Sequence, residues 1–81
     1  MSQRDFPAHN AWSETRLNGD HALAFVAVRS TIPASNTAFH QVYDRSYFAR
    51  RADAVLAAED ALSKLLHIDE HGYPIFSSRD C

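Results

Sequence analysis

The Asn18-Gly19 dipeptide, set in Leu17-Asn18-Gly19-Asp20, constrains the fold more than any other feature of the chain. Asparagine and glycine tolerate positive φ, which a type I′ turn demands at both central positions, and that turn suits the twist of paired strands. The dipeptide predicts a hairpin with a first strand over 11–17 and a second over 21–29. The first strand sets Trp12, Glu14 and Arg16 against Ser13, Thr15 and Leu17, an edge-strand texture with charge on one face. The second, Ala22-Leu23-Ala24-Phe25-Val26-Ala27-Val28, is apolar on both faces, as expected of a central strand.

Beyond a connector over 31–36, residues 38–44 read as a third strand, with Phe39 and Tyr43 on one face and His40 and Val42 on the other. The four-residue spacing of Phe39, Tyr43 and Tyr47 also fits a helix, but the strand reading is preferred. A long helix is expected from a cap at Asp44 or Ser46 to about Leu66. Phe48, Val55, Leu62 and Leu66 form its apolar stripe, flanked by Ala52, Ala58 and Leu65, with Asp53, Asp60 and Lys64 opposite. Gly72 and Pro74 punctuate the region after it, and 73–76 either adds a short strand or packs over an open edge. The expected fold class is α+β, a small antiparallel sheet of three to four strands packed against one long C-terminal helix. Residues 1–81 form one domain in this reading, with 1–9 a polar lead-in broken by Pro7 and 77–81 a mobile tail.

Composition narrows the function classes. Hydrophobic residues are 46% and charged residues 22% of 81, a globular balance that excludes disordered, collagen-like and coiled-coil chains. Eight basic against ten acidic residues leave a net charge of −2, without the basic excess that marks non-specific nucleic-acid binders. The one cysteine, Cys81, permits neither an internal disulfide nor a cysteine zinc site. No apolar run approaches the ~20 residues that span a bilayer, and the start lacks a signal-peptide core. The expected setting is cytoplasmic, with no membrane partner.

Chemistry-bearing motifs are few. His67-Ile68-Asp69-Glu70-His71 spaces two histidines four apart, but the zincin pattern needs Glu where Ile68 stands. A third ligand would have to come from His9, His21 or His40, and a helix C-terminus is the simpler reading. Only two glycines are present, which leaves no phosphate-cradling loop, and there is no nucleophile elbow. No catalytic residue, metal or cofactor is expected.

One cluster stands out. Arg45-Ser46-Tyr47-Phe48-Ala49-Arg50-Arg51 combines arginine with aromatic residues, and Arg50 and Arg51 oppose the dipole of the helix they begin. Seven of the eight basic residues are arginine, the cation that suits protein interfaces. With Glu59 near the edge of the apolar stripe, Arg45, Tyr47, Arg50 and Arg51 are the expected partner-binding residues. Ala54, Ala57, Ala58 and Ala61 recur at helical spacing and form a candidate self-association face. The leading expectation is a small non-enzymatic modulator that occupies a surface of a larger protein or protein complex. A phage-encoded inhibitor of a bacterial defence complex, of the anti-CRISPR type, is one member of that class. The alternatives are a nucleic-acid-binding regulator using the 45–51 cluster and a homodimeric accessory protein.

Overall fold

A computed structural model describes residues 3–31, 37–78 and 81. Four antiparallel strands form the main sheet in chain order, β1 (Gln3–Phe6), β2 (His9–Asn18), β3 (His21–Ser30) and β4 (Ala38–Val42). The predicted hairpin is its centre, but the turn sits one residue later than the dipeptide implies. Asn18 pairs with His21, so Gly19 and Asp20 are the central residues. Gly19 alone takes positive φ, at 66°. That is the pattern of a type II′ turn, whose first central residue is the glycine.

The lead-in is not irregular. Residues 3–6 pair with 9–12 of β2, so β2 is an inner strand over 9–12. Its charged face is therefore an open sheet face rather than the mark of an edge strand. β4 confirms the strand reading of its segment and ends at Val42, where Tyr43 turns the chain with φ 51°. The chain then returns to the sheet at Phe48, whose carbonyl accepts the Ala22 N–H at 2.8 Å. Phe48 is used as an extended bridge to β3, which excludes it from the helix.

Helix α1 consequently spans Arg51–Ser63 and is shorter at both ends than expected. Neither Asp44 nor Ser46 caps it; Arg50 is the N-cap residue, extended and without a side-chain cap bond. The helix is also not C-terminal. Leu65–Ile68 forms β5, which pairs with β6 (Pro74–Phe76) as a second, two-stranded antiparallel sheet. The Asp69 carboxylate accepts the N–H groups of His71 and Tyr73, both at 2.9 Å, and Gly72 supplies a φ of 85°. This closed turn lets 65–68 gain cross-strand bonds that another helical turn would forgo. Leu66, assigned to the helix stripe, is exposed on β5.

The core lies between α1 and one face of the main sheet. Ala54, Ala58, Ala61 and Leu62 from the helix meet Ala11, Ala22, Ala24, Val26, Val28 and Val42 from the strands. Small side chains on both surfaces allow close approach of helix and sheet. The alanine stripe expected to bind a second copy is thus spent inside the chain: Ala54, Ala58 and Ala61 are fully buried, and only Ala57 is partly exposed. Arg4 ties β1 to the helix end, donating to the carbonyls of Leu62 at 3.1 Å and of Leu65. A guanidinium at a helix C-terminus satisfies orphan carbonyls and complements the dipole. The expected connector over 31–36 and tail over 77–81 fall partly outside the described residues. Within them, Ser77 N–H donates to the Lys64 carbonyl at 2.8 Å and Cys81 packs on the core.

Candidate functional site

The excursion between β4 and α1 carries most of the expected binding residues. Its geometry follows from the positive φ at Tyr43 and the return at Phe48, between which 44–47 are exposed. Tyr47 is 64% exposed, its ring 5.4 Å from that of His21 and its hydroxyl 3.4 Å from the Asp20 carbonyl. His21 in turn hydrogen-bonds the Asp20 carboxylate and holds its pKa below the usual value. Arg45 is exposed and has no hydrogen bond or ion pair among the described residues. Arg50 pairs with Asp53 at 3.3 Å, and Arg51 reaches only the Thr15 hydroxyl at 3.4 Å. Arg51 also borders a groove of about 230 Å³ with Ser13, Glu14, Thr15 and Val55. Leu17, 70% exposed, follows Thr15 on the same face of β2.

Glu59 does not join this surface. It is half-buried and accepts a hydrogen bond at 3.0 Å from Ser13, which is only 3% exposed. A carboxylate that satisfies a buried hydroxyl links helix to sheet. Four of the five expected residues are therefore exposed along 45–51, and the fifth links α1 to β2.

A polar network locks the excursion onto the helix. The Tyr43 hydroxyl donates to Asp60, Lys64 pairs with Asp60 at 2.9 Å, and Lys64 also donates to the Tyr43 hydroxyl at 3.2 Å. Cys81 Sγ lies 3.5 Å from the same hydroxyl. The bond to Asp60 raises the Tyr43 pKa to about 12, while Tyr43 and Lys64 together lower that of Asp60. Asp60 chiefly raises the Lys64 pKa as well. Each shift strengthens the charge state a group already has at neutral pH, the opposite of what a general acid or base requires. The network is a brace.

The histidine pair is also redistributed. His67 lies on β5 and His71 in the following turn, so the helical spacing read from the sequence does not exist. His71 instead borders a cavity of about 390 Å³ with His9, His40, Glu70 and Tyr73. The His40 Nε2 atom is buried there without a hydrogen-bond partner, and burial lowers its pKa. Among the described residues, no group of three or more potential ligands is placed to hold a metal ion.

The sequence reading passed over a second surface. The face of the main sheet opposite α1 presents Trp12, Glu14 and Arg16 from β2, Leu23, Phe25, Ala27 and Arg29 from β3, and Phe39 and Gln41 from β4. No described element packs on it. Arg16 lies over the Phe39 ring at 4.4 Å and over Phe25 at 5.6 Å, while the two rings meet edge to face at 6.4 Å. The signal was present in the two-faced apolar pattern of 22–28.

No protein-family model, curated protein or solved structure matches the chain. No described helix is long and apolar enough to cross a membrane.

Proposed function

We propose that the protein is a non-enzymatic binding module that acts by occupying a surface of a larger protein. The supporting observation is the braced excursion over 43–51. Along one short segment it carries the exposed Tyr47 together with Arg45 and Arg51, two exposed guanidinium groups that form no ion pair among the described residues. Tyrosine and arginine are enriched at the anchoring positions of protein interfaces. A planar guanidinium pairs best with a carboxylate, so the complementary partner surface is acidic. An inhibitor of the anti-CRISPR type remains the concrete member of this class.

The test is capture of partners on the tagged wild type and on the Arg45→Glu/Arg51→Glu variant, with and without nuclease. The module predicts a stoichiometric protein that survives nuclease and is lost with the variant, while the melting temperature stays unchanged. A partner retained by the variant overturns the assigned surface. Capture that disappears with nuclease, and that weakens steeply with salt, would make the arginines phosphate contacts instead.

A further inference from the structure

We infer that the edge of β2 beyond Trp12 takes up an extended segment of the partner protein, which adds as a strand to the main sheet and sets an acidic side chain against Arg51. This rests on the binding-module reading, since Arg51 belongs to the surface proposed there. β1 pairs with 9–12, and among the described residues no strand continues that line along 13–18. Asn18 and His21 flank a two-residue turn and form a hydrogen-bonded pair, so bonds to β3 alternate from there. Ala22 follows the alternation: its N–H donates to the Phe48 carbonyl and so points away from β2. Its partner Leu17, and Thr15 two residues earlier, therefore turn their N–H and C=O groups away from β3. A row of outward donors and acceptors is a template for one more strand.

The side chains beside this edge select the occupant. The groove of about 230 Å³ has Thr15 on its β2 side and Arg51 and Val55 on its α1 side. Arg51 spends only its Nε on the Thr15 hydroxyl, at 3.4 Å, and its terminal amino groups form no hydrogen bond or ion pair among the described residues. Glu14 also borders the groove, but its side chain lies on the other face of the sheet and accepts the Trp12 indole N–H at 2.8 Å. In an antiparallel pairing, the residue opposite Thr15 carries its side chain on the same face, into the groove. A carboxylate there meets the free fork of Arg51. The residue opposite Leu17, which is 70% exposed, is best apolar. The strand that fits therefore reads apolar, any residue, then Asp or Glu.

β1 shows how this fold engages a strand in the same line. It runs antiparallel to β2, and its Arg4, on the face that α1 covers, donates to the carbonyls of Leu62 and Leu65 at one end of the helix. An added strand meets Arg51 at the other end, where the helix side supplies the cation and the strand must supply the anion. A nucleic acid has no matching row of N–H and C=O groups to pair with the edge, so the edge favours a protein partner.

The probe is a short peptide of alternating valine and threonine in which glutamate replaces one valine, two positions after another. Titrated into the isotope-labelled wild type and followed by amide resonances, it should shift the Thr15 and Leu17 N–H groups and slow their exchange. A glutamine version should bind about tenfold more weakly, and Arg51→Gln should erase the difference between the two peptides. A peptide N-methylated at the glutamate and at the valine before it loses the amides that pair with β2 and should not bind. Leu17→Pro deletes an N–H that β3 does not use, so the melting temperature should hold while peptide binding falls about tenfold or more. Unmoved Thr15 and Leu17 amides at millimolar peptide overturn the inference, as does equal binding of the N-methylated peptide, which needs no variant to fold. Either result leaves the binding module standing if the Arg45→Glu/Arg51→Glu variant still loses its captured protein. Sedimentation of the peptide-free protein at twice 9.1 kDa, with those two amides protected, puts a second copy on the edge and overturns the choice of occupant.

Discussion

At the scale of residues, the chain is held by small side chains and a few well-placed polar atoms. Leu62 and Leu65 are the largest fully buried side chains, in a core otherwise made of alanine and valine. Leu62→Ala therefore removes a large share of the apolar volume and should cost about 2–5 kcal/mol in chemical denaturation. Ala58→Leu errs in the other direction. With no space at the helix–sheet seam, it should cost about 1–3 kcal/mol through overpacking. Arg4→Met retains the stem but removes two carbonyl contacts at the end of α1, for an expected loss of about 1–2 kcal/mol. His40 adds a pH dependence. Burial lowers its pKa in the folded state below the 6.5 of the free imidazole. The unfolded chain thus binds more protons between those two values, and stability rises with pH across that window. Its contribution is intact above 6.5 and is lost as the pH falls below it. Wild type should lose melting temperature relative to His40→Gln as the pH falls below this value, while above it the difference between the two should not change with pH; His9, His71, Glu70 and Tyr73 are the neighbours that share the cavity.

Among elements, the hairpin and the helix were legible because each carries a local signal, whereas 38–44 fitted strand and helix alike. Gly19 forces the turn, residues 22–28 are a continuous apolar run, and 51–63 repeat alanine and leucine at helical spacing. The boundaries were not legible, because contacts distant in sequence decide them. β1 exists through pairing with 9–12, Phe48 is diverted by its bridge to Ala22, and β5 forms only because β6 is there to pair with it. The same reason hid half of the site. Exposure of Arg45, Tyr47, Arg50 and Arg51 follows from the local sequence, but the inward role of Glu59 depends on Ser13, 46 residues away. A local substitution tests the local signal. Gly19→Ala must hold positive φ with a Cβ, and although nothing lies within 4 Å of that atom, the backbone strain should cost about 1–2 kcal/mol.

For the whole molecule, one layer of helix on one sheet divides the surface into distinct parts. The helix side is closed by the alanine seam, the open sheet face is apolar and charge-balanced, and the 43–51 excursion is cationic and braced. A small chain can hold such a division only if the excursion stays in place, and the Tyr43–Asp60–Lys64 network provides that. Hydrogen–deuterium exchange, comparing the free chain with its complex with the captured partner, tests the binding assignment most directly. Slowed exchange should centre on 43–51 and the first turn of α1. Protection centred on β5 and β6, with 43–51 exchanging as in the free chain, would contradict it.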